Sequence, residues 1–115
     1  MTLVTIYHNP KCSKSRQTLA LLEERDLKLR IVPYLDSPPS KSELADIVKM
    51  LGVAAADIVR TGEDEYKESG LTAESSENDV LDAILLAPKL MQRPIVICGG
   101  QARVGRPPES ALEIL

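Results

Sequence analysis

The sequence predicts an α/β fold: a four-stranded mixed sheet with flanking helices and a helical insertion over about residues 40–87. Two short β-branched segments, at 3–7 and 29–35, enclose a stretch that favours helix. Residues 40–87 then carry helical patterns that no strand interrupts. Finally, "IVIC" and "QARVG" flank Gly99-Gly100, a two-residue hairpin signal. Because a β-α-β unit pairs its strands in parallel, adding a hairpin makes the sheet mixed.

The first third of the chain supplies the parallel part of this sheet. The segment "LVTIY" reads as a buried strand that the polar loop "HNPKC" ends. From Ser13 to about Arg25 the pattern favours a helix with Leu19 and Leu22 on one face. A second strand follows in "LRIVPYL", where Pro33 indicates a sheet edge or a strand end.

The insertion begins with the clearest helix of the sequence. Ser40 and Glu43 form a capping-box pair, and Gly52 marks the end. The apolar positions between them have helical spacing: Leu44, Ile47, Val48 and Leu51. Further helical segments follow, the last opening at Ser76 and ending at Pro88. After the hairpin, we expect a final helix that starts near Pro107-Pro108 and carries Leu112 and Leu115.

Composition excludes several classes of protein. With 115 residues and 43% hydrophobic content, the chain fits a single domain over 1–115. A net charge of −3 without a basic run argues against nucleic acid as a partner. No apolar stretch approaches the roughly 18 residues that span a bilayer, and the N-terminus lacks signal-peptide features. We therefore expect no membrane association and a cytoplasmic location.

The cysteine count argues against a structural disulfide and against a metal site. In a reducing compartment the two cysteines, Cys12 and Cys98, are expected to be free thiols. One histidine and two separated cysteines leave no paired-ligand spacing for zinc, so no metal is predicted. Cys98, inside "IVIC", is predicted to be a small buried hydrophobic residue.

Cys12 has a different setting, in the loop "YHNPKCSKSR" between the first strand and the first helix. Ligands of open α/β sheets bind at this end of the strands, and a helix start favours the thiolate that attacks. At pH 7 an ordinary thiol of pKa ~8.5 is only about 3% ionised, and a helix terminus adds ~0.3–1 kcal/mol. Further stabilisation has to come from nearby backbone N–H groups, the Ser15 hydroxyl, Arg16 or a protonated His8. On the residues alone, His8 is equally well explained as a cap of the strand end, and Lys14 as a solvated helix residue.

The spacing around Cys12 separates it from two better-known cysteine motifs. Arg16 follows after only three residues, which is too close for the C-x5-R loop of tyrosine phosphatases. Ser15 stands where a C-x-x-C redox centre has its second cysteine. The motif therefore predicts a nucleophile whose oxidised form needs a thiol from elsewhere.

Four segments carry a resemblance across nearly the whole chain: "IYHNPKCSKSR", "YLDSPPSKSEL", "KLMQRPIVI" and "RVGRPPE". In order and spacing they resemble the glutaredoxin-linked arsenate reductase family, and most of all a short branch called YfgD-like. The resemblance implies a thioredoxin-like fold with a helical insertion. It also implies that Arg93 precedes a cis proline facing the active cysteine.

The resemblance implies a role for six residues. Cys12 would attack arsenate or a similar oxyanion, with His8 and Ser15 helping to keep it ionised. The oxyanion and its thiol adduct would be bound by three arginines, Arg60, Arg93 and Arg106, whose planar forks suit tetrahedral anions.

The implied reaction is a glutathione- and glutaredoxin-dependent reduction of arsenate to arsenite. Glutathione acts as co-substrate and supplies the thiol that Ser15 cannot, no cofactor stays bound, and the chain is expected to be a monomer. This chain differs from the best-studied enzymes at Ser13 and Lys14 and in ending at Leu115. Two alternatives remain: a glutathione-dependent thiol reductase with another substrate, and an Spx-like transcriptional regulator, whose dithiol switch Ser15 would abolish.

Overall fold

A four-stranded mixed sheet forms the centre of the fold, as predicted. The structure is a computed structural model that describes residues 3–115. Its strands are β1 (Leu3–Tyr7), β2 (Lys28–Val32), β3 (Ile95–Cys98) and β4 (Gln101–Val104). They lie in the order β2-β1-β3-β4, with β1 parallel to β2 and the other pairs antiparallel. The α/β class and the mixed sheet are thereby confirmed.

The chain divides into two compact units. The first, here called the sheet unit, comprises the residues up to Ser37 together with Arg93–Leu115. The second, the helical unit, comprises Pro38–Gln92 and includes the predicted insertion over about 40–87. Each unit is compact by itself, and the expectation of a single domain over 1–115 stays a prediction.

The sheet unit is built around an aliphatic core. Helix α1 (Ser13–Glu23) links β1 to β2 and buries Leu22 completely. One cluster joins this leucine to both central strands and to the C-terminal segment: Val4, Ile6, Leu22, Val96, Cys98, Ala111 and Ile114. Cys98 is thus a buried free thiol in the core, as predicted.

The C-terminal segment differs from the helix that the sequence predicts. Residues Pro108–Ile114 form a 3-10 helix, and the residues it buries are Pro108, Ala111 and Ile114. These recur every three residues, the period of a 3-10 helix, in which such side chains lie one above the other. Of the two leucines that the predicted helix carries, Leu112 is only partly buried and Leu115 is exposed.

The helical unit begins as predicted. Helix α2 (Lys41–Leu51) has the expected capping box, in which Glu43 N–H donates to Ser40 Oγ and Ser40 N–H donates to Glu43 Oε1, each at 3.1 Å. Gly52 ends the helix with a φ of 72°, a left-handed conformation that favours glycine. Helix α3 (Asp64–Ser69) and helix α4 (Glu77–Leu86) follow, and Ser76 caps α4 as expected. Short 3-10 helices, Ala55–Ile58 and Pro88–Leu90, pack against α4.

Three loops lie at the same edge of the sheet. Tyr7 at the end of β1 pairs with Ile95 at the start of β3, which pairs with Val104 at the end of β4. The loops that leave β1, enter β3 and leave β4 therefore meet at one edge. At the opposite end of β3 and β4, Gly99 and Gly100 turn the hairpin with φ values of 58° and 80°, as predicted.

Candidate active site

A tight turn presents Cys12 at the start of α1. Residues 9–12 form a β-turn in which Cys12 N–H donates to the Asn9 carbonyl at 3.0 Å, with Pro10 in the second position. Cys12 is the N-cap residue of α1. Its own carbonyl accepts the first hydrogen bond of the helix, from Arg16 N–H at 3.0 Å. The thiol therefore sits at the positive end of the helix dipole, as the sequence predicts.

The Cys12 sulfur is nearly buried and contacts Arg106. Cys12 is 8% exposed. Arg106 Nη2 donates to Cys12 Sγ at 3.6 Å, and Arg106 Nε donates to the carbonyl of Arg93 at 2.8 Å. Among residues 3–115 this is the only hydrogen bond to the sulfur. One guanidinium thus links the thiol to the loop that enters β3.

The position of Arg106 depends on the residue before it, Gly105, whose backbone lies close to Thr18 and Pro94. Gly105 is buried, and its N–H donates to the Pro94 carbonyl at 2.9 Å. A Cβ at position 105 would lie 2.5 Å from Thr18 Oγ1 and 2.8 Å from Pro94 Cγ. The end of β4 therefore lies directly against α1 and the loop that enters β3. The Arg93-Pro94 peptide in that loop is cis, as the resemblance implies.

His8 and Ser15 form a buried pair beside the turn. His8 Nδ1 lies 2.7 Å from Ser15 Oγ, and Asn9 N–H donates to the same oxygen at 3.0 Å. Because the hydroxyl hydrogen of the fully buried Ser15 needs an acceptor, we assign the hydroxyl as donor to His8 Nδ1, with the imidazole proton on Nε2. Ser15 is fully buried, and its expected contact with the Cys12 sulfur is not among the hydrogen bonds of residues 3–115.

The surroundings of His8 disfavour its charged form. Desolvation by burial lowers the pKa of His8 below its usual 6.5, and Arg16 lowers it further, whereas Glu23 acts in the opposite direction. A protonated His8 was one expected source of positive charge for the thiolate. That role stays a prediction, and the positive charge in contact with the sulfur in the structure is that of Arg106.

Arg93 lies at the same edge with unused donors. Its Nε and Nη1 atoms are buried and have no hydrogen-bond partner among the described residues. Buried donor atoms without an acceptor are costly, so an anion with oxygen acceptors would be favoured there. The structure thus brings five of the six predicted site residues into the sheet unit: His8, Cys12, Ser15, Arg93 and Arg106.

The sixth, Arg60, belongs to the helical unit. It follows the isolated β-bridge between Val59 and Met91, and its N–H donates to the Leu90 carbonyl at 2.7 Å. Its guanidinium forms a hydrogen-bonded ion pair with Glu63. The predicted role of Arg60 in oxyanion binding stays a prediction.

Sequence reasoning missed the residues that shape the loop. Asn9 is buried and bonds Lys11 N–H through its side chain, while Arg16 Nη1 donates to the Pro10 carbonyl at 2.8 Å. The Asn-Pro pair was a usable signal, because asparagine and proline favour the first two positions of such a turn. Arg16 was considered only as a source of charge, because its loop contact depends on how the turn folds back.

Neither a metal cluster nor a membrane-spanning helix is found in residues 3–115. Within that range no three side chains of His, Cys, Asp or Glu type come together as metal ligands. None of the described helices is both long and apolar enough to cross a bilayer.

These features define a thioredoxin-like α/β protein with a cysteine at the start of its first helix and two arginines at the same sheet edge. The chain belongs to the ArsC family, whose model matches residues 7–114. It is 49% identical to the protein YfgD of Escherichia coli K12, over 97% of this chain and 96% of that one. An arsenate reductase of Neisseria meningitidis serogroup B is also 49% identical, with both chains fully covered.

A solved structure supports the same assignment. The arsenate reductase from Vibrio cholerae superposes with a TM-score of 0.95 at 47% identity, over 99% of this chain and 98% of that one. The arsenate reductase of E. coli K12 is more distant, at 36% identity over all of this chain and 82% of its own length.

Proposed function

We propose that this protein is an arsenate reductase in which Cys12 is the nucleophile and glutathione and glutaredoxin supply the reducing thiols. The observation that carries the proposal is the Arg106 guanidinium on the Cys12 sulfur, at the edge where Arg93 has unpaired buried donors. Relatives named arsenate reductase, at up to 49% identity over the full chain, support arsenate as the substrate.

In the first step the Cys12 thiolate forms a sulfur–arsenic bond, and one arsenate oxygen leaves as water after taking up protons. Arg93 and Arg106 bind the remaining oxygens, since a guanidinium fork matches two oxygens of a tetrahedral anion. His8 and Ser15 act by holding the turn that carries Cys12, through the hydrogen bond from Asn9 N–H to Ser15.

In the later steps two outside thiols supply the two electrons that convert arsenate to arsenite. Glutathione forms a second sulfur–arsenic bond, and another oxygen leaves as water. Glutaredoxin attacks the glutathione sulfur, a mixed disulfide leaves, and the bonding electron pair stays on arsenic. Water then releases arsenite and the Cys12 thiol. Because Ser15 cannot act as a resolving thiol, and because the electrons come from thiols, the proposal requires the outside thiols and no bound cofactor.

The test is steady-state arsenate reduction with glutathione and glutaredoxin. We expect turnover by the wild type, none by Cys12→Ser, and a loss of roughly 100-fold in kcat/KM for Arg93→Ala, in the range for removing one charge-assisted donor. Arg103→Ala is the matched control, because Arg103 pairs with Glu113 and not with any predicted site residue.

A wild type without turnover would overturn arsenate as the substrate. If Cys12 then still formed a mixed disulfide with glutathione, the result would favour a glutathione-dependent thiol reductase with another substrate. If Cys12→Ser kept wild-type turnover, the nucleophile assignment itself would be wrong.

A further inference from the structure

The turn that carries Cys12 is organised by one buried residue, Asn9, through one side-chain and two backbone hydrogen bonds. Asn9 is 6% exposed. Its Oδ1 accepts from Lys11 N–H at 3.0 Å, its carbonyl accepts from Cys12 N–H at 3.0 Å, and its own N–H donates to Ser15 Oγ at 3.0 Å. Asn9 therefore connects both residues that follow Pro10 to the buried His8–Ser15 pair.

We propose that Asn9 is a positioning residue, whose side-chain oxygen fixes the geometry of the turn and so holds the Cys12 sulfur against Arg106. The inference deepens the proposed function and, for its effect on turnover, rests on it. An asparagine that bonds the N–H two residues on is a stable local alternative to regular structure. Here that bond lies one residue before the sulfur-bearing residue, so it acts directly on the direction of the Cys12 side chain.

The hydrogen bond between Arg106 and the Cys12 sulfur is sensitive to small displacements of the turn. The Arg106 to sulfur distance is already 3.6 Å. The Arg106 guanidinium also donates to the Arg93 carbonyl, outside the turn, so a movement of the turn would have to break or stretch one of its two contacts. Arg16 braces the turn from the helix side, at the Pro10 carbonyl, but leaves Lys11 N–H unpaired once Asn9 Oδ1 is removed. Loss of the Asn9 side chain should therefore move the nucleophile relative to its cation.

The experiment compares Asn9→Ala, Asn9→Ser and the wild type, with Asn78→Ala as control. Serine keeps a neutral acceptor, though on a shorter side chain, whereas Asn78 is an exposed asparagine on α4. The first readout is the pH profile of Cys12 alkylation by iodoacetamide, separated from Cys98 by peptide mass spectrometry. The second is the division of any loss between kcat and KM in the arsenate assay, and thermal unfolding reports the fold.

We expect Asn9→Ala to slow alkylation at pH 7 about tenfold and to lower kcat more than it raises KM, because misplacement by about 1 Å costs up to ~100-fold. Asn9→Ser should lose only about threefold, as expected for a weakened hydrogen bond. Asn78→Ala should match the wild type.

A wild-type alkylation profile for folded Asn9→Ala would overturn the proposal, and so would equal losses in the alanine and serine variants. If Asn9→Ala does not fold, Asn9→Ser decides, and a wild-type profile there overturns the proposal. Alkylation needs no arsenate. A wild type that reduces no arsenate but shows the expected order of alkylation rates would refute the proposed function and leave the positioning role standing.

Discussion

Acidification should destabilise this protein through one residue, His8. It is the only histidine of the chain, so in the range between pH 7.5 and 5 it is the main side chain expected to titrate. Burial lowers the pKa of His8 in the folded protein, with Arg16 acting in the same direction and Glu23 against it. The matched variant is His8→Asn, whose side chain can still accept from the Ser15 hydroxyl.

The free energy of unfolding should fall with the pH because the unfolded chain binds a proton more readily than the folded one. The pKa of an unfolded histidine is ~6.5, so below that pH the unfolded chain binds a proton that the folded chain binds less readily. The contribution of His8 is therefore complete above about pH 6.5 and is lost as the pH falls towards the lowered pKa of the folded state. One proton limits the slope to ~1.4 kcal/mol per pH unit.

The hydrogen bonds around His8 also make protonation of the folded protein unfavourable. Protonated His8 would carry a hydrogen on Nδ1, so it could no longer accept from the Ser15 hydroxyl 2.7 Å away. Ser15 is fully buried and already accepts from Asn9 N–H. Its hydroxyl hydrogen would then need another acceptor, which is why charging His8 is unfavourable beyond the desolvation itself.

The assay is urea unfolding at pH 7.5, 6.5, 5.5 and 5.0, followed by far-UV circular dichroism because the chain has no tryptophan. We expect the free energy of unfolding of the wild type to fall by up to ~1.4 kcal/mol per unit below pH 6.5, and that of His8→Asn to stay nearly level until carboxylates titrate. Parallel loss in both proteins between pH 6.5 and 5.5 would refute the reasoning.

Three further predictions concern the same unit. Ser15→Ala should lower the free energy of unfolding by about 2–4 kcal/mol, because Asn9 N–H and His8 Nδ1 both lose their partner. The control Ser13→Ala, at the exposed helix start, should change it little, and equal effects of the two variants in urea unfolding would contradict the prediction. Gly105→Ala should lower the free energy of unfolding by about 1–3 kcal/mol through overpacking against Thr18, and adding Thr18→Ala should restore part of that loss. The control is Gly62→Ala, where an added Cβ meets open space. Arg106→Gln should slow alkylation of Cys12 by anionic iodoacetate roughly fivefold relative to neutral iodoacetamide, as for ~1 kcal/mol of screened attraction; Arg103→Gln removes the same charge and should leave the ratio unchanged.

Much of the fold could be predicted because its signals are local. Ser40, Glu43 and Gly52 act within a few residues of the helix ends they specify, and Gly99-Gly100 adopts the conformation that the hairpin needs. The sequence predicts the C-terminal helix but not its type, because three-residue and 3.6-residue periods differ little over seven positions. Which period applies depends on the sheet face that the segment covers, and the sequence does not show that face.

The site was predictable in its members and less so in its contacts. Cys12 could be found from its place after a strand and before a helix, which is a local property. The contact between Arg106 and the sulfur joins residues 94 positions apart, and it depends on strand order and on the close approach at Gly105. The partners of the Ser15 hydroxyl could not be predicted from the sequence. In the folded turn it bonds His8 Nδ1 and accepts from Asn9 N–H, and no hydrogen bond to the Cys12 sulfur is found for it in residues 3–115.

The structure also changes where the charge in the site comes from. A protonated histidine would make the attraction for an anion depend on pH near neutrality, whereas burial lowers the pKa of His8 and disfavours its charged form. The cations in the sheet-unit part of the site, Arg93 and Arg106, are arginines, which stay charged throughout the working range. The positive field on the thiol and on an incoming oxyanion is therefore constant. It follows that His8→Asn should leave the position of the acidic limb of the pH–rate profile for kcat/KM unchanged while removing the acid-dependent loss of stability.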